Sequence, residues 1–293
     1  MRRSALVLIA LAISLLGVFA LGRFSQATPA LREVSPTDLL SSLRDGSIKI
    51  VDCSYTYFEG MPGIKLPPPF ANTKTFELTN ISRYDERGPA WYWNWFSIGE
   101  HAGTHIDAPN HWVSGKENVG VDRIDVSQLI APAVVVDVTQ KAAANSDYEV
   151  TREDLLAWEK ANGRIPNGAV VVMNSGWGKR WPDPSKFLGL DAKGGPHGPG
   201  FGDAAAGFLL KERNIAGLAV DTVSTEAMAL AGGKKPTPFP VHFMVHGAKK
   251  YQIEMLANAG LLPAKGAVLV ISPVKIQNGS GAPTRIYALV PSR

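Results

Sequence analysis

The sequence predicts an α/β protein built on a mixed sheet. Continuous apolar runs, "GAVVVMNSGW" (168–177) and "IAGLAVDTVS" (215–224), read as strands buried on both faces. Amphipathic stretches with helix start and stop residues lie between the strand-like runs, "TREDLLAWEKANG" (151–163) being the clearest. Strands outnumber helices, and the helices are spread unevenly among them, so a regular doubly wound repeat is not expected.

Each element follows from its own residues. "SPTDLLSSLRDG" (35–46) predicts a short helix with Ser35 or Thr37 as cap and Gly46 as stop. "IKIVD" (48–52), "KTFELTNISRY" (74–84), "WYWNWFSIGE" (91–100) and "APAVVVDVT" (131–139) are rich in β-branched or aromatic residues and read as strands. Thr151, with Asp154 three residues on, is close to a capping box, and Gly163 ends that helix. "DAAAGFLLKERN" (203–214) and "AKKYQIEMLANAG" (248–260) read as further helices, the second ending at Gly260. "GAVLVISPVKI" (266–276) and "TRIYALVPS" (284–292) close the chain as strands. Pro- and Gly-rich stretches at 182–202 and 232–240 predict long surface loops, a kind of segment that often carries function.

Composition sets the outer limits. The chain has 293 residues, of which 45% are hydrophobic and 19% charged; this suits a packed core and excludes disordered and collagen-like classes. Its first residues, "MRRSALVLIALAISLLGVFALGRFSQATPA", place two arginines before 18 uncharged residues, and Ser25-Gln26-Ala27 resembles a cleavage site. That layout predicts a secretory signal peptide over 1–27 and a catalytic domain over 28–293. The apolar run is also just long enough to remain as an inner-membrane anchor. Either outcome exports the body of the protein, to the periplasm or beyond. Without residues 1–27 the chain holds 27 basic and 26 acidic side chains, with no basic stripe, so nucleic acid is not an expected partner. Cys53 is the only cysteine, which excludes an intrachain disulfide, and its strand-like surroundings predict a buried thiol.

The chemistry concentrates in "HAGTHIDAPNHW" (101–112), where three of the six histidines and an aspartate share eleven positions. Gly103 and Pro109 disfavour a helix. On an extended segment His105 and Asp107 point the same way, and a bend at Gly103 lets His101 join them. Pro109 is expected to turn the chain and separate His111 from the other three. Imidazole plus carboxylate suits zinc, manganese or iron(II). His242 precedes the expected helix carrying Glu254, so both are placed to face the cluster. His246 reads as an ordinary histidine, and His197, in "GGPHGPG", as a loop residue.

"HAGTHIDAPNH" resembles the H-x-G-T-H-x-D-x-P-x-H signature of the metal-dependent cyclase superfamily, which includes kynurenine formamidases and isatin hydrolases. "GMPG" (60–63), "NSGWGKRW" (174–181), "GPGFGDAAAGFLLKERNIAGLAVDTVS" (198–224) and "GSGAPTRIYALV" (279–290) resemble further family segments in the same order, so the likeness spans roughly 48–291. The resemblance implies a swivelling β/β/α-type fold, usually as a homodimer. It implies His101, His105 and Asp107 as metal ligands and His111 as the catalytic acid/base. The family's His followed twelve residues later by Glu falls on His242 and Glu254, which makes them the other two ligands. The chain departs from the pattern at "HFMVHG" (242–247) and "ANAGLL" (257–262), where relatives carry leucines and Asn-Leu.

Five protein ligands exceed the three of an open catalytic zinc site and suit two zinc or manganese ions sharing Asp107 and Glu254, with a single metal and a weaker second site as the alternative. The expected activity is metal-dependent hydrolysis of a carbon–nitrogen bond in a small amide or cyclic amide, arylformamide or isatin-like. A lactone hydrolase or cyclase, and a metal-binding protein without turnover, are the rivals. A hydrolase using Cys53 is a third. Ser224 is expected near the substrate. Trp91, Trp93 and Trp95 share one strand face, so Trp95, together with Trp177, is a candidate wall of an aromatic pocket.

Overall fold

A computed structural model describes residues 36–66, 68–228 and 239–292. The expected signal segment, Ser35 and most of the 232–240 loop lie outside them. Twelve strands and six α-helices alternate irregularly among the described residues: α1 (Pro36–Arg44), β1 (Ile48–Asp52), β2 (Glu77–Arg83), β3 (Tyr92–Ser97), β4 (His105–Asp107), β5 (Ile130–Asp137), α2 (Thr139–Ala144), β6 (Glu149–Val150), α3 (Arg152–Asn162), β7 (Val170–Asn174), α4 (Pro184–Phe187), β8 (Gly200–Phe201), α5 (Asp203–Phe208), β9 (Gly217–Val220), α6 (Pro240–Gly247), β10 (Tyr251–Glu254), β11 (Ala267–Pro273) and β12 (Gly281–Pro291). No helix among the described residues is long and apolar enough to cross a membrane.

The expected mixed sheet is present, and it closes on itself. Its strand order is β1-β12-β11-β5-β7-β9-β10-β4, with β4 also pairing β12. β5, β7, β9 and β10 run parallel, while β4, β11, β12 and β1 join antiparallel. The eleven residues of β12 make the closure possible: its first three pair with β4 and its last five with β1.

Alternation along the strands then divides the core. Ala133, Val135, Val170, Val172, Ala219, Ile253 and Ile286 pack inside the closed sheet, where Ala131, Ala282 and Ala288 keep the narrow interior filled. Their neighbours Val134, Val136, Val171, Met173, Leu218 and Val220 face outward under Leu155 and Trp158 of α3, Phe208 of α5, and Val241 and Val245 of α6. α3 carries the full capping box between Thr151 and Asp154 and stops at Gly163. Each such cap stabilises a helix by about 1 kcal/mol.

One sequence expectation fails here. The 248–260 stretch is not a helix. Its "YQIE" segment is β10, inserted between β9 and β4, while the helix lies upstream as α6. Isolated periodicity favoured a helix, and pairing on both edges overrides it. α1 begins at Pro36, so of the two expected cap residues Thr37 sits inside the first turn, and Ser35 lies outside the described residues.

The 182–202 loop is tied down rather than free. His197 Nδ1 lies 2.6 Å from Asp147 Oδ2, and the Gly198 carbonyl accepts from the Met228 amide at 2.8 Å. The hydrogen bond to Asp147 raises the His197 pKa above its ordinary value. A raised folded-state pKa means the stabilisation is complete below the unfolded value near 6.5 and is lost as pH rises through the folded value. His197→Ala should therefore lower Tm more at about pH 5.5 than at about pH 8.5, by no more than about 1 kcal/mol for so exposed a pair. Thermal denaturation at the two pH values reads this; an equal loss at both refutes the pairing.

Candidate metal centre

The site begins at β4. His105 and Asp107 point to one side of this three-residue strand, and Ile106 points into the interior core. β4 is paired so that Glu254 of β10 stands directly opposite His105. Residues opposed in this way share a face, so the sheet itself brings His105, Asp107 and Glu254 together. Gly103 adopts a left-handed φ of +62°, the bend the sequence required. His101 folds back so that its Nδ1 lies 2.6 Å from Asp107 Oδ1. His242 arrives from α6, above the outer face, with its Nε2 at 3.5 Å from Asp107 Oδ2 and 3.4 Å from Glu254 Oε1. All five expected ligands therefore converge. His111 converges with them: a turn in which its amide donates to the Ala108 carbonyl stacks its ring on His101, 3.9 Å between centroids. The expectation that Pro109 would set His111 apart is wrong, because the tight turn after Ala108 brings the ring straight back.

The hydrogen bonds fix the tautomers. His105 Nδ1 donates to the Gly103 carbonyl at 2.8 Å, which leaves the Nε2 lone pair facing Asp107 and Glu254, 3.2 and 3.6 Å away. His242 Nδ1 donates to Glu226 Oε2 at 2.6 Å, which leaves its Nε2 lone pair on the same centre. Ser280 donates its hydroxyl to Glu100 at 2.6 Å and so accepts from His101 Nε2 at 2.9 Å, freeing His101 Nδ1. Three imidazoles thus turn a lone pair inward while a carbonyl, a carboxylate and a serine hold their outer nitrogens. Metal-binding histidines are held in this way. Thr225 completes the set: its amide and hydroxyl both donate to Glu254 Oε1, at 2.9 and 3.0 Å.

Charge is balanced locally. Burial works against a charge on His105, yet Asp107 and Glu254 lift its pKa to about 9. Burial likewise opposes charge on Asp107, but His101 and His105 hold its carboxyl well below the usual range. His242 is raised well above its ordinary value, its burial outweighed by Glu226 and Asp107. His111 goes the other way, pushed down to about 2 by burial and the neighbouring imidazoles. It is a neutral ring at neutral pH.

The donor set fits a divalent cation. His105 Nε2 and Asp107 Oδ2 are buried atoms with no hydrogen-bond partner, although they sit among groups of opposite polarity. Three groupings, His101–Asp107–His111, His105–Asp107–Glu254 and Asp107–His242–His246, each have their ligand atoms within 4.8 Å of one another.

A cavity of about 270 Å³ opens above these donors. Its walls are largely apolar, with Ile64, Leu66, Phe70, Trp112, Val223 and Met255, and Ser224 also faces it. The expected tryptophans are elsewhere. Trp95 lies 55% exposed on the β2–β3 hairpin. Trp177 is 2% exposed, its indole N–H donated to the Phe187 carbonyl at 2.6 Å. Neither lines the cavity. Cys53 is fully buried in the interior core, and burial pushes its thiol up to about 12. Sequence reasoning missed Trp112, Thr225, Glu226, Ser280 and Glu100. Trp112 had a signal, because it directly follows the signature. The others had none, because their partners are distant in sequence.

A closed mixed sheet with four buried donors and the half-buried His101 converging on its outer face defines a protein suited to holding a divalent cation. The comparisons narrow the class. The chain belongs to the cyclase family: residues 51–227 match the family described as "Putative cyclase". The isatin hydrolase of Roseibium aggregatum is 42% identical over 254 residues, covering 86% of this chain and 95% of that protein. Isatin hydrolase A from Ralstonia solanacearum superimposes with a TM-score of 0.84 at 39% identity, over 89% of this chain and 99% of that one. An isatin hydrolase bound to the product analogue thioisatinate gives 0.83 at 41% identity, over 88% of this chain and 100% of that one.

Glu226 is the most testable of the missed residues. Glu226→Gln should weaken divalent-cation affinity about 10- to 100-fold, the usual effect of removing a carboxylate behind a ligating histidine. A competition titration against a chromogenic chelator measures it, and an unchanged affinity rules the role out.

Proposed function

We propose that this chain is an exported, metal-dependent hydrolase that opens a carbon–nitrogen bond in a small cyclic amide of the isatin type. The observation that carries the reading is the convergence of His101, His105, Asp107, His242 and Glu254 at the floor of a closed-in apolar cavity. Similarity to isatin hydrolases over nearly the whole described chain supports the same reaction class.

The ligand set is His101, His105, Asp107, His242 and Glu254, holding zinc or manganese as two ions per subunit. Bound divalent metal supplies polarisation of the substrate carbonyl and lowers the pKa of water towards about 7. The protein's own part is positioning and proton transfer. Ile64, Leu66 and Trp112 give a flat ring an apolar wall, with Phe70 at its exposed rim. At about 270 Å³ the cavity is near the lower end of ligand sites, ~300–1,000 Å³, which favours a compact bicyclic molecule over an extended one. His111, stacked on His101 and lining the cavity beside the ligands, is placed to accept a proton from the attacking water. The carbonyl carbon gains an oxygen, the bond to nitrogen breaks, and His111 returns the proton to that nitrogen. One water is consumed; its first proton reaches the nitrogen through His111, its second is released to solvent, and a carboxylate and an amine remain on a single ring-opened product. Ser224 faces the cavity and is placed to hydrogen-bond the substrate. No covalent intermediate is required, and the high pKa and complete burial of Cys53 speak against a thiolate nucleophile.

The same machinery serves a lactone, so the class of substrate rests on a screen of imides, aryl amides and lactones. His111→Ala should lower kcat about 10²- to 10⁴-fold while leaving bound metal unchanged. Chelator should abolish turnover, and thiol reagents should not. Inactivity of the metal-loaded wild type on every such substrate would favour a carrier without turnover.

The hairpin supports a homodimer. β2 and β3 pair only with each other, and a lone two-stranded ribbon is marginal in water. It exposes Leu78, Trp91, Trp93, Trp95 and Phe96, an aromatic surface suited to burial against a second copy. Trp93→Ser with Trp95→Ser should convert a dimer to monomer in sedimentation velocity. A wild-type monomer contradicts the proposal.

A further inference from the structure

His246 is the histidine that neither the signature nor the five-ligand set uses. It is fully buried, and neither ring nitrogen makes a hydrogen bond of ordinary geometry; the Lys250 backbone approaches one of them, which leaves the other without a partner. A buried imidazole left in that state costs about 1–3 kcal/mol for each orphaned group, which an apolar side chain in the same place would avoid. The helix explains where it points. His242 and His246 are four residues apart on α6 and so share one face, with ring centroids 5.7 Å apart. A His pair with i,i+4 spacing on one helix face is a recurring metal-binding arrangement. Its ring atom, one of His242 and one of Asp107 all lie within 4.8 Å of one another.

The two carboxylates divide the centre into halves. Asp107 Oδ1 faces His101 and His105, at 2.6 and 3.2 Å, whereas Oδ2 faces His242 at 3.5 Å and has no hydrogen-bond partner. Glu254 divides in the same sense, with Oε2 at 3.6 Å from His105 and Oε1 at 3.4 Å from His242. One half thus has two imidazoles from the β4 segment. The other has His242 and lacks a second nitrogen unless His246 supplies it.

We infer that His246, with His242 and Asp107 Oδ2, forms a second divalent-cation position beside the one built on His101 and His105. The inference rests on the metal reading above and assigns this chain a nitrogen ligand outside the five-donor set. Asn118 supports the placement: its side-chain amide donates to the His246 carbonyl at 2.8 Å and pins the last turn of α6.

The test uses the full chain, stripped by chelator and titrated with Co²⁺ or Zn²⁺ alone. Wild type should bind two ions, and His246→Gln and His246→Leu one, with the second ion weakened at least about 100-fold and the first nearly unchanged. A readout that needs no variant is the ring ¹⁵N resonance of His246 in the wild type, which should move during the second zinc equivalent and not the first. Two ions bound equally well by wild type and both variants, or a His246 ring indifferent to zinc, overturn the inference. One ion in wild type, lost in His105→Ala, overturns it and removes the second ion from the proposed function, but leaves the metal-dependent hydrolase reading standing. No ion in wild type overturns both.

Discussion

The antiparallel pairing of three residues, His105 to Asp107, between two longer strands is the constraint on which the rest of the molecule depends. β10 holds one edge of this strand and β12 the other, so its backbone groups are satisfied without water. Ile106 is locked into the interior core, and that locks His105 and Asp107 onto the opposite face. A slip of one residue would bury both polar side chains in the barrel and expose Ile106, so register and site are specified by one choice. The pairing with β12 is also what closes the sheet. Pro283 of β12 stands beside His105, and a Cβ on Gly281 would come 2.6 Å from His101 Cε1. The strand that closes the fold thus shapes the space in which His101 sits.

That geometry gathers carboxylates in a place where uncompensated charge is costly. Asp107, Glu226 and Glu254 are all buried. An ionised carboxylate taken from water without a partner loses several kcal/mol of hydration. In the absence of a cation, the imidazoles meet this need by holding protons, which is why His105 and His242 are raised. Proton and metal ion therefore compete for the same lone pairs. The outer contacts, Gly103 to His105, Glu226 to His242 and Ser280 to His101, favour the inward lone pairs before any ion arrives. The centre is oriented in advance rather than assembled around its ligand.

How much of this the sequence disclosed follows from how local each relation is. His101, His105 and Asp107 were legible because the i and i+2 relation on an extended segment, and a bend at Gly103, need nothing from elsewhere in the chain. The strands buried on both faces and the capped helix α3 were legible for the same reason. The return of His111 was not, because a turn closed by one amide–carbonyl bond outweighs the reorienting effect expected of Pro109. Glu254 was found by spacing and placed on the wrong element: helix-like periodicity in 248–260 gave way to pairing on both edges of β10. Glu226, Thr225, Ser280 and Glu100 were invisible because each acts on a partner remote in sequence or merely polar in composition. The tryptophan face of β3 is correct as a pattern, yet it lies on a separate ribbon, away from the cavity.

Sheet and loops divide the labour of the site, one fixing the donors and the other shaping the cavity. The inward-facing lone pairs and the carboxylates sit on β4, β10, α6 and the bend at Gly103 that folds His101 back, elements fixed by the core. The cavity wall comes mostly from the 64–73 segment, Trp112, Val223 and Phe239, which lie on connections. Connections can change length and side chains without disturbing the pairing of β4, whereas any change in that pairing destroys the centre. Chemistry is therefore inherited with the fold, and substrate choice is set by a few apolar side chains around it. An apolar wall above a polar floor suits a small ligand with an apolar body and one polar end. It discriminates poorly between rings that differ by a methylene, which in such pockets is worth only about 1–3 kcal/mol.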